Sequence, residues 1–211
     1  MNFAFASARP LYDERVHPRV LIGPRELAAI QRRVRSGRGR KIMDGLRVRL
    51  RPRVREILDA GDDAKALAVL EGGYFGKTVF WNLDEIAMMG RIDEDEEAVE
   101  AARRVLLAMA RANSDASGNT YHVPHTYDVL HDLLPESDRA LVRNWLYERG
   151  VRALLSSLGR FYLGAGGNMN VCTLISVLLN LLALRGDAGV PDLKPEQDKL
   201  TDRLRREAIQ A

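Results

Sequence analysis

The stretch from Val171 to Leu184 runs fourteen residues without a charge, and only Thr173, Ser176 and Asn180 in it are polar. A helix that is apolar nearly all round is buried on most sides. This one falls short of the roughly 18–20 apolar residues a membrane span needs, so other parts of the fold must wrap it. The chain supplies the wrapping as helix pairs. Their spacing predicts Thr78–Met89 followed by Asp93–Ala112, Val123–Leu134 followed by Pro135–Leu158, and Asn168–Leu184 followed by Pro195–Gln210. The leading members start near positions 78, 123 and 168, and a recurrence of about 45 residues is a signature of stacked helical hairpins.

The two members of a pair differ in character. Trailing helices alternate charged and apolar residues, as in Asp138-Arg139-Ala140-Leu141-Val142-Arg143-Asn144-Trp145. Leading helices are greasier. The expected packing therefore sets leading helices inside and trailing helices outside. Such an all-α fold is an α/α toroid when closed and a solenoid when open. Three hairpins are too few for the usual six-hairpin ring, so the expectation is a partial α/α toroid, an incomplete ring of antiparallel hairpins. The exposed inner edge of an incomplete ring favours homo-oligomers.

Strand signals are scarce along the whole chain: Val20-Leu21-Ile22 is the only short β-like run, and the rest reads as helices. Pro24 suits a first helical position, with Leu27, Ile30 and Val34 recurring up to Gly37. Ile42, Leu46, Leu50, Val54, Ile57 and Leu58 form a second stripe, which Pro52 should kink or divide. Asp62 or Asp63 caps a short helix through Leu70, ended by Gly72-Gly73. One domain over residues 1–211 is expected: an arm at 1–23, a basic helical segment at 24–73, and three hairpins at 74–211.

Charge is unevenly placed. Between Arg32 and Arg55 lie ten Arg and one Lys against one acid, Asp44, in a chain of formal net charge +3. The remainder is therefore net acidic. Such a run can face an anionic polymer, nucleic acid or acidic polysaccharide, or be a solvated helix face that meets acids from elsewhere in the fold. No nucleic-acid motif accompanies it. The single cysteine, Cys172, rules out an internal disulfide framework and a cysteine zinc site. No run suits a membrane span, and the Met1 end lacks the features of a secretory leader.

Four stretches, in order and at matching spacing over residues 17–186, resemble the N-terminal helical domain of the heparinase II/III-like polysaccharide lyases, the group that includes oligoalginate lyases. His17-Pro18-Arg19-Val20-Leu21-Ile22 resembles the family's "HPRLLF" opening. Tyr127-Asp128-Val129-Leu130-His131-Asp132 is similar to its "YDWLYD" helix. Leu134-Pro135-Glu136-Ser137-Asp138-Arg139 looks like the turn that starts the next outer helix. Gly167-Asn168-Met169-Asn170-Val171-Cys172 resembles "NNWNxVC" at the head of an inner helix.

The resemblance implies β-elimination on uronic-acid glycans, a periplasmic or secreted setting, an acidic polysaccharide or oligosaccharide as partner, and no cofactor. That reaction needs the substrate carboxylate neutralised, a base near C5 and an acid at the leaving oxygen. By the resemblance Asn168 neutralises the carboxylate at a helix N-terminus, a position that favours anions; a plain N-cap is its other reading. The family position after it carries His or Trp, and here Met169 donates no hydrogen bond. The family's catalytic Tyr lies on a following hairpin, beyond Ala211. The resemblance therefore implies the N-terminal portion of a longer lyase, inactive alone. The alternative is a non-catalytic helical-repeat module that binds a protein or an acidic glycan.

The residues themselves offer one polar-aromatic cluster, Tyr121-His122-Val123-Pro124-His125-Thr126-Tyr127-Asp128, at the head of a leading helix. Tyr121, His122, His125 and Tyr127 are candidates for glycan contact, against a structural or surface role; the His-x-x-His spacing with no evident third ligand does not make a metal site. Tyr74 and Trp81, near the first leading helix, are further candidates for stacking on sugar rings, against a plain place in the core. His131 and Asp132 read as packing and capping partners. Aromatic content of 6% is low for a carbohydrate groove.

Overall fold

The computed structural model describes residues 16–74, 77–114, 121–154, 168–196, 198 and 200–202. The described chain is mostly helical with two short strands. In order come α1 (Pro24–Arg33), α2 (Gly37–Asp59), α3 (Asp63–Ala68), β1 (Glu71–Tyr74), β2 (Lys77–Phe80), α4 (Leu83–Asp93), α5 (Glu96–Arg111), α6 (His122–Leu130), a 3₁₀ turn (His131–Leu133), α7 (Glu136–Trp145), a π-helical stretch (Leu146–Arg152) and α8 (Asn168–Leu184). Helix is resumed at residues 194–196.

Several boundaries follow from local chemistry. Pro24 opens α1, and Glu26 accepts from the Gly23 N–H at 3.0 Å. Asp62 caps α3 by accepting from the Lys65 N–H at 2.8 Å. Asp95 caps α5, with Glu96 and Glu97 in the first turn and Arg111 in the last, in keeping with the helix dipole. α8 spans the residues its greasiness predicts.

Three expectations change. Of the two readings of Pro52, a kink or a division, the division is excluded, since α2 runs through it. Proline deprives the Val48 carbonyl of its donor, but Val48 is 78% exposed, so water can take that place. The first leading helix begins at Leu83, because residues 71–74 and 77–80 pair as an antiparallel hairpin, Glu71 opposite Phe80 and Tyr74 opposite Lys77. The β-branched and aromatic run Thr78-Val79-Phe80 suits a strand better than a helix start. Val20–Ile22 is not a strand.

The leading helices lie parallel. Asp84, at the start of α4, meets His122, at the start of α6; Arg91, near the end of α4, meets Asp132, just past α6, at 2.6 Å. α6 packs against α8, and Tyr127 of α6 bonds Asp187 just beyond the end of α8. α5 runs back against α4, and α7 packs on α5 and is tied to it by Arg103 and Asp138 at 2.6 Å. α2 packs along α4 and α5 through Leu50, Val54 and Ile57, all fully buried; each such side chain contributes about 1.5–3 kcal/mol. The Arg104 guanidinium of α5 donates to the carbonyls of Ile57, Leu58 and Ala60 at the end of α2.

Much of the basic run meets acids from elsewhere. Arg47 pairs with Asp93 through two nitrogens, Arg49 with Glu85, and Arg51 with Asp95 and Glu97. No helix among the described residues is long and apolar enough to cross a membrane.

Candidate functional site

Two clusters of ionisable side chains stand out, one at each end of α6.

The first lies where α4 and α6 begin. The Asp84 carboxylate reaches the His122 Nδ1 at 2.7 Å and lies 3.8 Å from the His125 Nδ1, one helical turn further on. The three side chains are largely buried. Burial alone would raise the Asp84 carboxyl, but the two imidazoles outweigh it and hold Asp84 well below the usual carboxylate range. Asp84 is thus charged at neutral pH. It fixes the ring orientation of His122 and leaves Nε2 for a ligand, the way a carboxylate orients a histidine in a proton-transfer pair. His125 has no hydrogen-bond partner on either nitrogen among the described residues, although its side chain is 8% exposed. A buried imidazole in that state marks a place where a polar group belongs.

Two aromatic rings cover this cluster from outside. Tyr121 lies against His122 with centroids 4.1 Å apart, and Trp81 meets the same imidazole edge-on at 5.9 Å. Trp81 is 41% and Tyr121 44% exposed, so both offer ring surface to solvent. Trp81 owes its position to Gly72 across the hairpin: a Cβ there would collide with the indole. Gly72→Ala therefore displaces Trp81 at a cost of about 1 kcal/mol or more, and crystallography of the variant should find the indole moved while the α4–α6 contact is kept.

The second cluster lies where α6 ends. Asp128, fully buried, accepts from the His17 Nδ1 at 2.6 Å and from the backbone N–H groups of Arg19 and Val20 at 2.7 Å each. Asp187 faces the His17 Nε2 at 3.2 Å, the Arg19 guanidinium at 3.1 Å, the Tyr127 hydroxyl at 2.6 Å and the His131 Nε2 at 3.6 Å. Arg19 also donates to the carbonyls of Leu182 and Ala183, closing the end of α8. Burial would raise Asp187, but the nearby His131 imidazole and hydrogen bonds from His17 and Tyr127 outweigh it and hold it far below the usual range. Burial, and then the Asp187 charge, push the Tyr127 hydroxyl well above its ordinary value.

His17, His131 and Asp187 bring three potential ligand atoms within 4.8 Å of one another. The arrangement fits a cation poorly. The two imidazoles are stacked nearly parallel, 3.6 Å apart with 11° between planes, so their in-plane lone pairs run side by side instead of converging. The Arg19 guanidinium already holds the Asp187 oxygen. The cluster is a lock that fastens residues 17–20 to α6 and α8.

The structure thus brings together Trp81, Tyr121, His122 and His125 of the sequence-derived candidates. Tyr127 is corrected: it is fully buried and belongs to the lock, because on α6 it faces α8 instead of solvent. α8 begins at Asn168 on the same end of the layer as His122. The side chains of Asn168 and Tyr74 lie outside the described residues. Sequence reasoning missed Asp84, whose partner is 38 residues away, and the joint role of His17, Asp128 and Asp187. Comparisons with family models, curated proteins and solved structures find no match.

Proposed function

We propose that this chain is a helical portion of a uronate-cleaving polysaccharide lyase, a partial α/α toroid whose rim holds an acidic oligosaccharide. The observation that carries the reading is the convergence of Trp81, Tyr121 and the Asp84-oriented His122 at the shared end of parallel leading helices. Exposed rings give sugar faces a stacking surface. The His122 Nε2 and the unpartnered His125 give a carboxylate or a ring hydroxyl its donors. Two stretches that carry the family resemblance, His17–Arg19 and Tyr127–Asp128, also support it, since they meet in one hydrogen-bonded lock.

In this reading Asn168 neutralises the carboxylate of one uronate, while Trp81, Tyr121 and His122 hold a neighbouring unit. The chain by itself binds without cleaving. The test is calorimetric titration with oligosaccharides of alginate, heparan sulfate and hyaluronan. One of them binds the wild type, and Trp81→Ala and His122→Ala each weaken it about tenfold, the equivalent of about 1.4 kcal/mol. Asn168→Ala weakens it as well. No binding to any of the three, or indifference to Trp81 and His122, overturns the proposal. Binding that survives Asn168→Ala unchanged identifies a non-catalytic module instead.

A further inference from the structure

The basic run divides into two halves with different fates. Arg47, Arg49 and Arg51 are neutralised by acids of α4, α5 and the turn between them. Arg32, Arg33, Arg35, Arg38 and Lys41 are exposed and form no ion pair or side-chain hydrogen bond among the described residues. These five cations crowd the corner where α1 ends and α2 begins. Arg40 adds a sixth, held only loosely by Asp44 at 3.7 Å. Beneath the corner lies a cleft of about 330 Å³, lined by Gln31, Arg35, Arg40 and Arg47 on one side and by Asp93 and Glu94 on the other.

Uncompensated like charges repel one another and hold this corner at positive potential. We infer that the α1–α2 corner is a docking surface for an acidic polysaccharide, with sulfate or carboxylate groups of the chain paired to Arg33, Arg35 and Arg38. Guanidinium forks match both groups through paired hydrogen bonds. One observation weighs against single-stranded nucleic acid: residues 24–73 contain no aromatic side chain on which a base could stack. The bordering acids Asp44 and Asp93 are already paired with Arg40 and Arg47, so the field of the corner is that of its unpaired cations, and a duplex is the competing occupant that the test decides.

The corner stands at the far end of α4 from the rim: Gln31 Nε2 donates to the Arg91 carbonyl at 3.2 Å, while Asp84 lies about 10 Å away along the helix. The inference extends the reading of the rim to a second subsite for the same class of polymer. It uses none of the rim's residues, so either can fail alone.

The test measures binding of fluorescent heparin oligosaccharides to the full chain across a series of salt concentrations. The triple variant Arg33→Glu/Arg35→Glu/Arg38→Glu loses at least about tenfold in affinity at low salt, and its log–log salt slope falls by about 3. Both proteins are also compared in the Trp81→Ala background, so that loss at the corner is read apart from any binding at the rim. All three arginines are exposed, and a circular dichroism melt coincident with the wild type shows that the fold is kept. Heparin binding unchanged in the triple variant overturns the inference. So does tighter binding of a short DNA duplex, or of phosphatidylserine vesicles, than of heparin by the wild type.

Discussion

Asp128→Ala lowers the free energy of unfolding by about 3–5 kcal/mol, the range typical of a broken buried charge pair. The carboxylate accepts three hydrogen bonds and is inaccessible to solvent. Its loss strands the Arg19 and Val20 N–H groups without acceptors and leaves the His17 imidazole beside Arg19 with one counter-charge fewer. Residues 17–20 then have little reason to stay on α6, and with them goes the Arg19 cap on α8. In a chain of this length each kcal/mol moves the melting temperature by about 2–4 °C, so calorimetry should record a drop of roughly 6–20 °C. Asp128→Asn keeps one acceptor and costs less. The double variant Asp128→Ala/His17→Ala costs less than the sum of its parts, because no imidazole is left stranded. A loss under about 1 kcal/mol for Asp128→Ala, or strict additivity in the double variant, removes the lock from this description.

The helical architecture is legible in the sequence because it rests on periodicity. α8 needs burial on nearly every side, and its bounds follow from the greasy run alone. The acidic first turn and basic last turn of α5 announce its direction. What sequence reading misses is where tertiary context overrides local preference. Pro52 reads as a kink or a break, yet α2 continues through it, and the residue whose hydrogen bond it removes faces water. Gly72-Gly73 reads as a helix stop, yet these glycines sit in a strand that leaves room for Trp81.

The candidate site is legible in part for a related reason. Tyr121, His122 and His125 are neighbours in the chain, so their chemistry shows in one window. Asp84 shows no such signal, because in a helix read from Thr78 it is one more charged residue, and its partner is 38 residues away. Tyr127 shares the window and the helix but faces away from His122. A cluster of residue types fixes that a helix head is polar; only the neighbouring helices decide which of its members face solvent and which become part of the core.

The lock also makes stability depend on pH in both directions, with a sign that can be worked out group by group. His17 is pulled down by burial and by Arg19, but the hydrogen bonds and charge of Asp128 and Asp187 outweigh them, so its folded-state value lies above 6.5. The groups facing it are Asp128 and Tyr127 of α6, His131 of the 3₁₀ turn, Asp187 beyond α8 and Arg19 of its own segment. A raised histidine stabilises fully below its unfolded value of about 6.5 and loses that contribution as pH rises through the folded one. Asp187 and Asp84, both depressed, stabilise above their unfolded value near 4 and lose the contribution as pH falls below it. Stability is therefore greatest between about pH 4 and 6.5 and declines on either side. Urea titrations at a series of pH values should show both limbs, the alkaline one no steeper than about 1.4 kcal/mol per pH unit, the limit for one proton. His17→Gln flattens the alkaline limb and shrinks the acid limb without abolishing it, since Asp187 loses one of its hydrogen bonds while Asp84 stands on the other end of α6. A His17 imidazole that titrates by NMR at or below 6.5, or an alkaline limb that persists in His17→Gln, would show that residues 17–20 are not held by a charged histidine between two carboxylates.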